Sequence, residues 1–219
     1  MAIHLLRDLE NLKKEILLLG AMVEEATHKA ILTVVDHRAE LADEVIAGDR
    51  EVDDNEVRVE EECLKVLALH QPVAFDLRFV LAVLKVNNDL ERVGDLARNI
   101  AERGRDLAGH AEAVAVPAEI RTMAERVRRM LRESLNAVVQ SDTALARRVL
   151  AEDETVDRLH KEIFTLVKQR LRESPGQVDG LIELLSTSRY LERIADLATN
   201  IAEDVVFMVS GEVIRHQGH

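Results

Sequence analysis

Apolar residues recur in alternating steps of four and three through Leu5, Leu9, Leu12, Ile16, Leu19, Val23, Ala26 and Ala30 to Thr33. At the helical period this draws a narrow seam along one side of a single long helix, and such a seam needs other helices to cover it. His37-Arg38 predicts a break, after which a shorter helical stretch runs to Ala47, with Gly48-Asp49 supplying a stop and a new start. A second long helix follows to Leu69. His70-Gln71-Pro72 closes it, because proline lacks the amide donor and pushes the preceding residue out of the helical region. A third helix is predicted from Phe75 to Arg105. Beyond Gly109, Ala113 to Pro117 reads as a linker, and Pro117 is placed to open the next helix.

The second half of the chain repeats the first. LERVGDLARNIAE, from Leu90 to Glu102, returns as LERIADLATNIAE, from Leu191 to Glu203, changed only at Val93/Ile194, Gly94/Ala195 and Arg98/Thr199. Upstream, Leu41, Ala42, Val45, Asp49, Val52 and Asp53 match Leu145, Ala146, Val149, Asp153, Val156 and Asp157. Pro72 and Pro175 mark equivalent corners, and Ser174-Pro175-Gly176 is the tighter of the two. The pattern predicts an all-α protein of two tandem three-helix bundles, residues 1–112 and 113–219, with six long helices in spectrin-repeat-like packing.

Composition narrows this further. Aromatics are 2% of the residues, with no Trp, one Tyr, three Pro and nine Gly, which leaves little strand or turn chemistry for a sandwich or barrel. The net charge of −12 repels phosphate backbones and excludes nucleic acid as the expected partner. Cys63 is the only cysteine, so an internal disulfide or a CxxC zinc knuckle is impossible; it reads as a core thiol in a reducing cytoplasm. Charges from Arg7 to Glu15 interrupt any leader-like stretch, and no apolar run approaches the roughly 18 residues of a membrane span. The expectation is a soluble, cytoplasmic protein.

The candidate chemistry is carboxylate. Glu91 and Asp95, and again Glu192 and Asp196, stand four residues apart, which leaves each pair only about 40° apart on its helix surface. Asn99, Glu102, Asn200 and Glu203 extend the two stripes, while Val93, Leu96, Ala97 and Ile100 point the opposite way. Asp49 with Asp53, and Asp153 with Asp157, repeat the spacing on the preceding helix, which should run antiparallel to the third. Like charges so spaced cost an isolated helix roughly 0.2–0.5 kcal/mol, and a cation would relieve them. Oxygen ligands suit magnesium, calcium, manganese or iron, and the lack of thiolate clusters argues against a structural zinc. The plainer reading is a solvated stripe opposite an apolar seam, with Arg98 paired to Asp95, Arg189 to Glu192, and Asp49 capping a helix. Both readings stand on spacing alone, although Arg98 becomes Thr199 in the second copy while the acids and Asn persist.

Other signals are weaker. Asp157 and His160 have the i, i+3 spacing of di-iron helices, yet the first-repeat counterpart of His160 is Glu56, so His160 reads as a surface histidine. There is no Gly-rich phosphate loop, HExxH or GxSxG; Ser186, Thr187 and Ser188 read as small residues where helices pack. His4, His28, His37, His70 and His110 lack ligand spacing, and Gly211 to His219 reads as a frayed tail.

The segments GDREVDDNEVRVEEECLKVLALHQPVAFDLRFVLAVLKVNNDLERVGDLARNIAE, DETVDRLHKEIF and SRYLERIADLATNIAEDVVF resemble the PhoU family, with the likeness running from Leu5 to Val209. The resemblance implies metal ions on paired E(D)xxxD motifs: Asp49, Asp53, Glu91 and Asp95 in one half, Asp153, Asp157, Glu192 and Asp196 in the other. The ions it implies are divalent or trivalent, among them iron, manganese, magnesium or zinc. It also implies a cytoplasmic regulatory adaptor, not an enzyme, that represses the phosphate-starvation response when phosphate is plentiful. The implied partners are the ATPase subunit of the phosphate ABC transporter, the phosphate-sensing histidine kinase and a second copy in a homodimer, with the membrane reached only through partners. Two alternatives from other classes are a metal-dependent helical enzyme, an oxidase or hydrolase, and a purely structural dimerising bundle with solvated acids.

Overall fold

The computed structural model describes residues 2–110 and 114–212. Six long helices follow one another as α1 (Ala2–Val35), α2 (Glu40–His70), α3 (Ala74–Gly109), α4 (Ala118–Gln140), α5 (Thr143–Glu173) and α6 (Val178–Ser210), with a single 3₁₀ turn at Pro175–Gln177. The apolar seam of α1 is buried as its spacing requires, with Leu12, Leu19, Val23 and Ala30 at 1% exposure or less. The boundary at 112/113 falls on residues 111–113, outside those described, as do residues 213–219 of the tail.

The predicted interruption at Gly48-Asp49 is absent: α2 is continuous through both residues. A mid-helix glycine costs only about 1 kcal/mol, and Val45 and Val52, one turn to either side, are buried and hold the helix through it. Asp49 therefore lies mid-helix and is not a cap. Among the described helix starts, that of α5 carries a side-chain cap, where Asp142 accepts from the amides of Ala144 (2.9 Å) and Leu145 (3.0 Å). α2 ends at His70, one residue short of Gln71, which takes a left-handed conformation (φ 46°) and donates its amide to the Leu67 carbonyl.

Each half is a three-helix bundle, α1-α2-α3 and α4-α5-α6. The halves meet through equivalent helices, α3 on α6 and α1 on α4, so that α1, α3, α6 and α4 close into a four-helix core. α2 packs in the groove between α1 and α3, and α5 in that between α4 and α6, on opposite flanks of this core. The join is polar as well as apolar. Lys85 Nζ reaches Asp204 Oδ1 at 3.1 Å, Arg103 reaches Glu183 at 3.1 Å, and Arg78 donates to the Met208 carbonyl at 3.0 Å. Gly20 lets α1 approach α4 closely, since a Cβ there would stand 3.0 Å from Leu135 Cδ2. Among the described residues, no helix is long and apolar enough to cross a membrane.

Candidate functional site

The periodicity that buries Val93, Leu96, Ala97 and Ile100 on α3 turns Glu91 and Asp95 toward the groove with α2, and the same holds for Glu192 and Asp196 beside α5. All eight predicted acids are thereby gathered into two sets, each spanning two antiparallel helices. In the first half, Asp53 feels Asp49 on its own helix and Asp95 across the groove. Loss of hydration first, and then these like charges, hold its carboxyl above the usual range. Glu91 is raised by the same causes, burial first and then Asp95 and Asp53. In the second half Glu192 is raised by burial, then by Asp196 and Asp157. Asp196 is raised by lost hydration and then by Asp157.

The two sets differ at one residue. Arg98 does not pair with Asp95; it reaches across to α2, donating to Asp49 Oδ2 at 3.0 Å, and lies 3.6 Å from Glu102. The reason is direction: a long side chain on α3 leans over the neighbouring helix, where Asp49 is partly shielded from water. Its counterpart Thr199 is too short to cross, and its hydroxyl bonds back to the Asp196 carbonyl at 2.6 Å. Here Asp153, Asp157, Glu192 and Asp196 line an open cleft of about 690 Å³. Arg189 lowers the Glu192 carboxyl electrostatically without closing an ion pair within 4.0 Å.

The other half contributes to this cleft. Lys85, Asn88, Asp89 and Arg92 of α3 form its far wall, which no spacing within the second repeat could reveal. A smaller cleft of about 320 Å³ between α3 and α6 joins the two sets and is lined by equivalent residues, Arg92, Asp95 and Asn99 facing Arg193, Asp196 and Asn200. His160 is not the surface histidine its spacing suggested. It is half-buried, with Nδ1 3.1 Å from Ser188 Oγ, and burial pushes its imidazole toward the neutral form. The equivalent bond in the first half runs from Asn87 Nδ2 to Glu56 Oε1 at 3.0 Å, so both halves tie the middle of the second helix to the third, with different chemistry.

As donor sets, both groups are all oxygen, which fits a hard cation. Among the described residues no three His, Cys, Asp or Glu side chains already converge as a closed ligand set, so binding an ion requires carboxylate side chains to rotate inward. Burial first, and like charges after it, hold the carboxyls of Asp53, Glu91, Glu192 and Asp196 above the usual range, and a cation among them would favour the ionised form of each.

The family model described as the PhoU domain matches twice, at residues 16–104 and 120–205, one match in each bundle. The chain belongs to the PhoU family. It is 38% identical to a phosphate-specific transport system accessory protein PhoU homolog of Aquifex aeolicus, covering 97% of this chain and 96% of that protein. The corresponding Pseudomonas putida homolog is 34% identical, covering 96% and 82%. The crystal structure of PhoU from Pseudomonas aeruginosa superposes with a TM-score of 0.91 at 33% identity, covering 94% of this chain and 99% of that one. That of the phosphate transport system regulatory protein PhoU from Streptococcus pneumoniae gives 0.85 at 28% identity, covering 95% and 98%. The two PhoU matches coincide with the two carboxylate sets: Asp49 to Asp95 lie in the first, and Asp153 to Asp196 in the second. These relatives are named as accessory and regulatory proteins.

Proposed function

We infer that this PhoU-family chain is a regulatory accessory protein of phosphate-specific transport. It acts in the cytoplasm as an adaptor between the phosphate transporter's ATPase subunit and the phosphate-sensing histidine kinase, and represses the starvation response when phosphate is plentiful. The observation that carries this reading is the pairing of whole-length similarity to named accessory proteins with two carboxylate sets that open on one face, along α3 and α6. A metal ion on each set would draw α2 toward α3 and α5 toward α6, biasing the shape of that face without taking part in any chemical turnover. Asp49, Asp53, Glu91 and Asp95 would hold one ion or cluster, and Asp153, Asp157, Glu192 and Asp196 the other.

The test measures affinity of the purified protein for the ATPase subunit and for the kinase's cytoplasmic region, each with manganese and with chelator. The expected outcome is binding to both, stronger with manganese. Replacing Glu192 and Asp196 by Ala should lower bound metal and abolish the manganese dependence in the second half while leaving the helical melting curve in place, because neither side chain is part of the apolar core. Absence of binding to either partner in both conditions would overturn the adaptor reading; unchanged metal stoichiometry in the double variant would overturn the site.

A further inference from the structure

Beyond their four acids, the two sets are continued by different donors at equivalent positions. One turn along α2 from Asp53 comes Glu56, and one turn along α5 from Asp157 comes His160. Each is tied to the residue one turn before the glutamate of its set on the third helix: Glu56 Oε1 accepts from Asn87 Nδ2 at 3.0 Å, and His160 Nδ1 lies 3.1 Å from Ser188 Oγ. Both side chains therefore lie between the second and third helices of their bundle, in the groove that holds the acids. Side chains on a helix lean toward its N-terminus, which carries the His160 ring back over the turn of Asp157. The electrostatics agree. Glu91 feels the charge of Glu56 after those of Asp95 and Asp53, and among charged side chains Asp157 acts on His160 ahead of Arg189 and Lys161.

The hydrogen bonds decide which ring nitrogen is free. Ser188 Oγ donates its single proton to the Leu185 carbonyl at 2.8 Å, so it meets His160 as an acceptor. Nδ1 must then carry the hydrogen, and in the neutral imidazole Nε2 is left with its lone pair. Metal-binding histidines are prepared in this way: one nitrogen donates to a fixed acceptor, and the other presents its lone pair in a set direction. Here the acceptor is fixed, because Ser188 is fully buried on α6. We propose that His160 Nε2 is an additional ligand of the second set, beside Asp153, Asp157, Glu192 and Asp196, so that the two halves take different metals: a hard ion such as magnesium on the oxygen-only first set, and a borderline transition-metal ion on the second. This rests on the reading of the carboxylate sets as metal sites. Imidazole suits zinc, iron or nickel, whereas carboxylate alone suits magnesium, calcium or manganese. Ser188 holds the ring, and the carboxylates rotate toward it as the ion enters.

The measurement is long-range proton–nitrogen NMR of the full chain carrying isotopically labelled histidine, before and after addition of zinc. The first set is disabled by Asp53→Asn and Glu91→Gln, so that retained metal belongs to the second, and His160 is assigned as the signal missing from His160→Gln. Without metal, His160 should show a protonated Nδ1 and a bare Nε2; with zinc, the Nε2 resonance should move to that of a metal-bound nitrogen while Nδ1 stays protonated. By competition calorimetry, His160→Gln should lower the zinc affinity of this set at least about tenfold and leave its magnesium affinity within about twofold. Ser188→Ala keeps the ring and removes its acceptor, and should weaken zinc about tenfold. Zinc retained with Nε2 unmoved, or equal loss of zinc and magnesium affinity in His160→Gln, overturns the nitrogen ligand and leaves the carboxylate site standing. A second set that retains neither zinc nor magnesium overturns both.

Discussion

Arg98 and Thr199 occupy equivalent positions, and that single difference separates the two carboxylate sets. An Arg98–Asp49 ion pair with a partly exposed guanidinium contributes about 0.2–1 kcal/mol, so it competes only modestly with a cation for Asp49. Arg98→Thr should tighten manganese binding in the first half by about two- to fivefold, and Thr199→Arg should weaken the second half by a similar factor, as read by titration calorimetry. Asp8 provides a pH test away from these sets. Its hydrogen bond to His70 Nε2 at 2.9 Å, then Arg7, hold its carboxyl below the usual range. A carboxylate with a depressed folded-state pKa stabilises the fold above its unfolded pKa of about 3.9, and that contribution is lost as pH falls through the depressed value. Asp8→Asn should therefore melt lower than wild type at pH 6, and the gap should narrow as the pH falls below about 3.9.

Among whole helices, the caps and corners differ more between the halves than the helix bodies do. α5 begins on Asp142, whose carboxylate satisfies two otherwise unpaired amides, and α2 begins on Ala39 with no side-chain cap. Asp142→Ala should cost about 1 kcal/mol in chemical denaturation. The α2 corner is strained instead, with Gln71 left-handed at φ 46° although it carries a Cβ. Gln71→Gly should stabilise the protein by roughly 1 kcal/mol, since the amide bond to Leu67 survives and the steric cost does not.

At the scale of the molecule, contact between helices far apart in sequence decides where the sites open. α3 approaches α1 so closely at Gly104 that a Cβ there would stand 1.9 Å from Thr33 Oγ1 and 2.9 Å from its carbonyl carbon. The hydroxyl could turn away, but the backbone atom could not, and Gly104→Ala should lower stability by about 1–3 kcal/mol in denaturant unfolding. The join of α3 to α6 is what brings both carboxylate sets to one side and supplies Lys85 and Arg92 as a wall for the second.

Periodicity and repetition by themselves determined much of this protein. The seam from Leu5 to Thr33, the corners at Pro72 and Pro175 and the recurrence of LER(V/I)xDLAxNIAE were enough for six helices in two bundles, because helix burial repeats every 3.6 residues and leaves its period in the sequence. The same period placed Glu91 with Asp95 and Glu192 with Asp196 on one face each. Local signals failed where packing overrode them. Gly48 looked like a helix end, yet Val45 and Val52 held α2 through it; Arg98 looked like the partner of Asp95, yet its reach favoured Asp49 on α2. His160 looked exposed until Ser188 of α6 closed over it. The meeting of the two halves along α3 and α6 was decided by tertiary structure alone, since which buried stripe faces which depends on shape complementarity between helices about a hundred residues apart, and no local pattern records it.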